Sequence, residues 1–445
     1  MKKNNNTSPD ARAIALNVVS SVWDNDAYAN IALNMELNKY ALPDVERHFV
    51  TQLVYGSVKA GQVLDLFLQK FVTRPLKKIA PKILNILRLG IYQIFFLERI
   101  PDSAACNEAV KQARRFGHEG TVKFVNAVLR NAVRFKENSG LSADAQLQEA
   151  AFLQHPNWLV KRWQKQIGKD ATKVLCEIDN KPAPMCLRTN TLKITTDKLA
   201  ELFVQEAVDA VPSLLVSEGF VCRNNPSLAK LESFKKGFYQ VQDESSMLVA
   251  HYLDVLPGQV VIDVCAAPGG KTTHIAALMQ NKGRVLAADV HQHKLGIIKE
   301  NSCRLGINII ETYLKDATVL ESEWLQLADR VLVDAPCSGL GVLRRRPDLR
   351  WRKKEEDLPA FAKLQMGILN NASQYLRHGG KLVYSTCTTE EAENQGVIQE
   401  FLASNKDFII EKIKHPKEDV YLDYLQLWPQ IDDTDGFFIC VLRKI

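Results

Sequence analysis

Two cysteines are followed and preceded by residues that suit chemistry. Residues 330–333 are Arg-Val-Leu-Val and run into Asp334-Ala335-Pro336-Cys337-Ser338-Gly339. Residues 381–384 are Lys-Leu-Val-Tyr and run into Ser385-Thr386-Cys387-Thr388. Each cysteine therefore falls just past the carboxyl end of a short apolar run of strand length. In open α/β sheets that edge is where ligands bind. A cysteine is ordinarily a small buried hydrophobe, and Cys106, Cys176, Cys186, Cys222, Cys303 and Cys440 take that reading. Cys337 and Cys387 differ because one cleft would receive both.

A third strand end carries a turn of small residues. Val-Val-Ile-Asp-Val at 260–264 leads into Cys265-Ala266-Ala267-Pro268-Gly269-Gly270-Lys271-Thr272, and a helical pattern follows. Small side chains let the backbone approach a ligand, and a helix N-terminus offers free amide donors. The run has neither the longer glycine loop of a P-loop nor the G-x-G-x-x-G of a dinucleotide site. A pyrophosphate is disfavoured, and a nucleoside with a carboxylate-bearing tail such as S-adenosylmethionine (SAM) suits it better. Asp289 ends the next strand and is placed for ribose hydroxyls. Asp316 follows the third strand, where a carboxylate accepts from an adenine amino group. Cys265 lies in the turn and is read as packing.

A thiolate beside a methyl donor suits one reaction in particular. Carbon 5 of a pyrimidine is a poor nucleophile. Addition of a thiolate at carbon 6 makes the ring an enamine, whose carbon 5 attacks a methylsulfonium. A base then takes the carbon-5 proton and the thiolate leaves by elimination, so that one hard step becomes several easier ones. Such a thiol needs positive charge or a helix N-terminus nearby. Asp334 is placed to hydrogen-bond ring nitrogen 3 and to read the cytosine amino group. The strand ends alone do not say which cysteine attacks.

These residues need a frame. From about 255 onward, strand-length runs at 260–264, 284–288, 309–314, 330–333 and 381–384 alternate with helical stretches at 272–279, 294–305 and 359–376, which predicts a parallel sheet covered by helices on both faces. Residues 146–240 mix helix (157–167, 196–208) and strand (185–190, 237–241) as a small α+β unit. Residues 8–135 predict about seven short helices, with apolar positions at helical spacing in 13–23, 31–37, 45–58, 63–71, 83–97, 105–116 and 122–133. Ser8 before Pro9 reads as a helix start. The polar run 136–145 is the best linker. The predicted domains are 1–140, 146–240 and 241–445.

The composition bounds the rest. The chain has 445 residues, 46% hydrophobic and 24% charged, which excludes disordered, collagen-like and disulfide-stapled classes. Nine cysteines without a Cys-x-x-Cys pair, and histidines without ligand spacing, argue against a metal site and for a reducing cytoplasm. The polar start has no signal-peptide stretch. The most apolar segment, 83–97, falls short of a span of about 20 residues, so no membrane is expected. The net charge is +6, but residues 1–135 carry 19 basic against 11 acidic residues. Residues 344–354 (RRRPDLRWRKK) carry seven basic residues and one Asp. Arg and Lys neutralise phosphates and Trp351 offers a stacking face, so this stretch is expected to contact RNA. Arg114, Arg115, Lys123, Arg130 and Arg134 form a second candidate patch, with a domain-docking surface as the alternative.

The motifs VCAAPGGKT (264–272), DAPCSGLG (334–341), LRRRPDLRW (343–351) and YSTCT (384–388) together resemble the RNA cytosine-5 methyltransferases of the Nol1/Nop2/Sun group. QDESS (242–246) and LRTN (187–190) are similar to that group's upstream segments, and the helical N-terminal region resembles a NusB-type RNA-binding bundle. The resemblance implies a Rossmann-like class I SAM-dependent methyltransferase domain, preceded by the small α+β unit and the all-α bundle. It implies SAM as cofactor, small-subunit (16S) rRNA as substrate and a monomer acting in the cytoplasm. It makes Cys387 the nucleophile and Cys337 the residue that assists product release. Residues 265–271, Asp289, Asp316 and Asp334 then line the SAM site, and Lys271 lies near the cytosine. The same chemistry on tRNA or 23S rRNA is one alternative. A non-catalytic RNA-binding factor is another, and the intact cysteine pair speaks against it.

Overall fold

The computed structural model describes residues 10–138, 142, 144–224 and 226–445. The Ser8-Pro9 helix start lies outside them, as does part of the predicted linker. The chain divides into two compact units. The first comprises residues up to Lys181 together with Leu343–Lys354; the second comprises Pro182–Val342 and Glu355–Ile445. This grouping cuts across the predicted boundaries. The helices of 146–181 join the N-terminal bundle and not the α+β unit, and a twelve-residue piece of the C-terminal region is also counted with that bundle.

The first unit is helical. Its helices are α1 (Ala11–Asp24), α2 (Ala29–Leu37), α3 (Asp44–Ala60), α4 (Gln62–Phe71), α5 (Pro81–Phe96), α6 (Asp102–Phe116), α7 (Glu119–Asn138), α8 (Ala145–Leu153), α9 (Asn157–Ile167) and α10 (Lys169–Asn180). Asp10 caps α1 by accepting from the Arg12 N–H, which satisfies one of the orphan amides of the first turn. The apolar α5 buries Ile83, Ile86, Leu87, Leu89, Ile91 and Ile94 in the middle of the bundle. The sequence pattern missed α8 and α10. Only Leu147 and Leu153 are buried in α8, too few to set a period.

The second unit holds two main sheets. Strands β1 (Met185–Thr189), β2 (Ala210–Pro212), β3 (Gly219–Cys222) and β4 (Tyr239–Val241) form an antiparallel sheet in the order β2-β3-β1-β4. The large sheet uses β5 (Val260–Asp263), β6 (Arg284–Asp289), β7 (Ile310–Leu314), β8 (Ala328–Asp334), β9 (Leu376–Thr386) and β10 (Phe408–Glu411). After a small hairpin of β11 (Ile413–Lys414) and β12 (Tyr421–Leu422), β13 (Leu425–Leu427) and β14 (Phe437–Lys444) complete it. The order is β10-β14-β9-β8-β5-β6-β7, with β13 paired to β14. The five strands from β7 to β9 are parallel, as predicted. The antiparallel end was not predicted: β14 pairs with β9, β10 and β13. Its apolar run FFICVL has no alternation, so its period does not distinguish strand from helix.

Successive side chains of a strand point to opposite faces, and the core divides accordingly. Val261, Leu332 and Val383 pack with Met247 and Ile275 on one face. Ile262, Val331, Val333, Leu382 and Tyr384 pack with Ile368, Leu369 and Ala372 of the helix Leu358–Gln374 on the other. Leu332 and Leu382 are fully buried, and truncating either to Ala would cost about 2–5 kcal/mol. That rigidity fixes where the strand ends point.

Candidate active site

The register of the sheet brings the site together. Asp334 lies opposite Ser385 across β8 and β9. The chain then continues for three residues to Cys337 and for two to Cys387, and the two Sγ atoms come to 3.3 Å. Both thiols are partly exposed. Gly341 is part of the same construction, because its N–H donates to the Cys387 carbonyl and its carbonyl accepts from the Gly436 N–H. A Cβ on Gly341 would run into the Gly436 backbone, so this position needs glycine for the close approach.

Lys271 and Asp334 meet beside the thiols. Lys271 Nζ donates to Asp334 Oδ2 at 2.8 Å and also lies over the Phe437 ring, 5.0 Å from its centroid. Ser385 Oγ donates to the other oxygen, Oδ1, at 2.9 Å. The carboxylate is thus held from both sides with lone pairs left for a ligand. The sequence reading had Lys271 and Asp334 but not the anchoring role of Ser385, although Ser385 stands in the quoted YSTCT run.

The turn after β5 is built as a cradle. Gly269 has φ +99°, in the left-handed region that favours glycine, and a Cβ there would lie 3.1 Å from Ile298. Asp289 is buried and accepts from the Ala267 N–H at 3.2 Å and from the His291 N–H at 2.9 Å. Asp316 is exposed, and its Oδ1 accepts from the Thr318 N–H and hydroxyl. Those bonds hold its carboxyl below the usual range. Asp263, at the end of β5, is pushed up to about 7 by burial, against the hydrogen bond from Thr272. Its Oδ1 is buried without a partner. Burial, followed by the charges of Asp263, Asp334, Asp289 and Asp316, pushes the Cys265 thiol well up. Cys265 is therefore an inert thiol.

The remaining cysteines mostly follow the buried reading, with one correction. Cys106, Cys176, Cys186, Cys222 and Cys440 are buried, but Cys303 is exposed. The helix Gln292–Leu305 buries Leu295, Ile298, Ser302 and Leu305, so its turn carries Cys303 outward.

A second correction concerns residues 350–352 of the basic stretch 344–354. Arg350 is fully buried and donates to the carbonyls of Gln154 (2.9 Å) and Asp179 (3.1 Å) and to Asn180 Oδ1 (2.8 Å). Trp351 donates its indole N–H to the Lys59 carbonyl at 3.0 Å and covers Gly61, whose φ is +43°. Arg352 binds the Asp26 and Ala27 carbonyls, pairs with Asp348 and stacks on Tyr28. The expected stacking and phosphate-binding groups at 350–352 are instead satisfied inside the helical unit.

One further cluster was not read from spacing. Glu218 Oε1 accepts from His251 Nε2 (2.7 Å) and His274 Nε2 (2.8 Å), and the three side chains are close enough to consider as metal ligands. A metal-bound imidazole donates its other N–H to an acceptor. His274 Nδ1 is buried with no such partner. The trio is hydrogen-bonded through Glu218 Oε1, and His274 Nδ1 stays without a partner.

Residues 250–443 match the family model described as 16S rRNA methyltransferase RsmB/F, and residues 9–134 match the NusB family. Residues 155–228 match the RsmF/B-like ferredoxin-like domain. The "Probable ribosomal RNA small subunit methyltransferase B" of Bacillus subtilis (strain 168) is 39% identical over 447 residues, spanning 97% of this chain and 98% of the relative. The crystal structure of PH0851 has a TM-score of 0.86 at 26% identity, covering 98% of this chain and 100% of that one. NSun6 from Pyrococcus horikoshii, solved with SFG, has a TM-score of 0.59 at 27% identity, covering 65% and 98%.

Proposed function

The chain belongs to the RsmB/F family of 16S rRNA methyltransferases, and from that membership we propose that it methylates carbon 5 of one cytosine in 16S rRNA, with SAM as methyl donor and a covalent adduct at Cys387. The observation that carries this reading is the pair of thiols 3.3 Å apart beside the Lys271–Asp334 ion pair. A non-catalytic RNA-binding factor has no use for that arrangement.

The turn at 265–270 fits SAM. Gly269 leaves a cradle that a Cβ would narrow, and Asp289, Asp316 and Asp334 stand at or just past the carboxyl ends of β6, β7 and β8 of the same sheet. Their negative charge favours a sulfonium cation. When bound, SAM supplies an electrophilic methyl group; Asp289 and Asp316 would hold its ribose and adenine. NSun6, the relative solved with the SAM analogue SFG, supports the same cofactor.

The chain's own residues then have distinct tasks. Asp334, fixed by Lys271 and Ser385, receives the cytosine amino group and orients the ring. Cys387 forms the S–C6 bond, and the electron pair moves into the ring to make carbon 5 nucleophilic. After methyl transfer a base takes the carbon-5 proton, the C–H electron pair restores the C5–C6 double bond as the C6–S bond breaks, and the Cys387 thiolate is released. Cys337, in contact with Cys387, assists that last step.

The RNA reaches further than one base. Arg114, Arg115, Lys123, Arg130 and Arg134 are all exposed, and no carboxylate ion-pairs with any of them among the described residues. Lys123, Arg130 and Arg134 recur at spacings that share one face of α7. We assign this surface to phosphate contacts.

The test uses two substitutions. Cys387→Ala should abolish both methyl transfer and covalent RNA capture, and Cys337→Ala should accumulate a protein–RNA adduct in the presence of SAM. Full transfer by the first variant would reject the nucleophile. Bisulfite sequencing of rRNA from a deletion strain, with and without the gene restored, checks carbon 5 of cytosine and the 16S substrate together.

A further inference from the structure

A fully buried carboxylate lies behind the two thiols, and its partners are the residues that flank them. Glu393 Oε2 accepts from the Ser338 N–H at 2.9 Å and from Gln365 Nε2 at 2.8 Å. Gln365 Nε2 also donates to the Pro336 carbonyl at 3.0 Å. On the other side, Thr388 Oγ1 lies 3.4 Å from Glu393 Oε1 and 2.8 Å from Ser338 Oγ. The Glu393 backbone is fixed as well, since its carbonyl accepts from the Tyr384 hydroxyl at 2.6 Å. Residues 336 and 338 bracket Cys337, and residue 388 follows Cys387. One side chain therefore ties both cysteine loops together.

A buried acid is costly unless its bonds are filled, and a neutral amide or an apolar network would tie two loops at lower cost. A charge at this place has an electrostatic consequence. We propose that Glu393 is the positioning residue of the thiol pair: its carboxylate sets the Cys337–Cys387 contact, and its charge keeps the pair's proton on Cys337. Cys337 then presents an S–H to its neighbour, and Cys387 is the sulfur left to bond carbon 6. The acid is bonded more closely to the Cys337 loop, where the Ser338 N–H donates to Oε2 at 2.9 Å, than to the Cys387 loop, where the Thr388 hydroxyl lies 3.4 Å from Oε1. The direction of the Cys337 shift agrees: the Cys387 contact, burial and the Glu393 charge all push that thiol well up.

This inference rests on Cys387 as the nucleophile, and its test is read without RNA or SAM. In the full chain carrying Cys387→Ala, iodoacetamide alkylation of Cys337 is followed at pH 8 by peptide mass spectrometry. Adding Glu393→Gln keeps the shape and removes the charge. It should speed alkylation of Cys337 about tenfold and move its pH profile to lower pH. Glu393→Asp, which keeps the charge, should restore slow alkylation. An unmoved profile with Gln at 393 would overturn the charge role, because a purely structural tie leaves thiol acidity unchanged. Should the Gln variant not fold, the unsubstituted chain decides. Cys387 should be modified at least about tenfold faster than Cys337 at pH 8, and modification of Cys337 at an equal or greater rate rejects the proposal. Failure of the nucleophile itself shows separately, as methyl transfer by Cys387→Ala.

Discussion

Two strongly basic regions of this chain use their side chains differently. Residues 344–354 hold seven basic side chains, more per residue than α6 and α7. Yet Arg350 is fully buried, and Trp351 and Arg352 spend their donors on backbone carbonyls. Arg114, Arg115, Lys123, Arg130 and Arg134 are fewer and more dispersed, but they are exposed. Charge density along the sequence therefore does not rank candidate RNA surfaces. What ranks them is exposure: Arg130 and Arg134 also find acceptors, on Asn126 and Asn131 of their own helix, but they stay in water, whereas Arg350 is buried. A guanidinium that fills orphan carbonyls at the ends of helices acts as a structural strut, and a charged one left in water keeps its attraction for phosphate.

The comparison breaks most visibly at Arg350. Arg350→Ala removes three hydrogen bonds and leaves the carbonyls of Gln154 and Asp179 without that donor. The expected loss is about 3 kcal/mol of stability in the helical unit, read by denaturant unfolding. An unchanged midpoint, with weakened RNA binding instead, would put this segment back among the RNA contacts.

The converse experiment is smaller. Arg130→Ala with Arg134→Ala should leave stability within about 0.5 kcal/mol. RNA affinity should fall several-fold, and the slope of log K against log salt should become shallower by about 1.5 if both side chains meet phosphates. A salt slope identical to that of the parent would remove α7 from the interface.

A third effect concerns pH. Lys59 donates to the Asn180 and Lys181 carbonyls and is lowered to about 8, by burial first and then by the charge of Arg350. An unfolded lysine titrates near about 10.4. Between these values the folded chain binds fewer protons than the unfolded one, so stability rises with pH across that window. From pH 8 to 10.5 the parent should gain about 2 kcal/mol relative to Lys59→Met. Parallel stability curves for the two would mean that Lys59 is not crowded by the buried arginine.

Much of the catalytic region was legible because it rests on local rules. The runs at 260–264, 284–288, 309–314, 330–333 and 381–384 became β5, β6, β7, β8 and β9, and their carboxyl ends carry Asp289, Asp334, Cys337 and Cys387. β14 was not legible, since an uninterrupted apolar run has no period and its pairing with β9 spans more than fifty residues of chain. Ser385 and Glu393 were missed for a related reason. A serine and a glutamate are unremarkable in sequence, and only the strand register and a buried network give them partners.

The sequence by itself determined the order of strands and helices, the small-residue turn and the two cysteines after strand ends, because these depend on residue type and near-neighbour spacing. The tertiary structure decided which polar groups are free and which are filled. Arg350 became a strut, Asp334 was fixed between Lys271 and Ser385, and the two thiols met at 3.3 Å over a buried carboxylate. The physical reason is that a hydrogen bond or a charge interaction is a property of distance in space and of burial, and residues such as Arg350 and Gln154, or Ser338 and Glu393, come within reach only after the chain has folded.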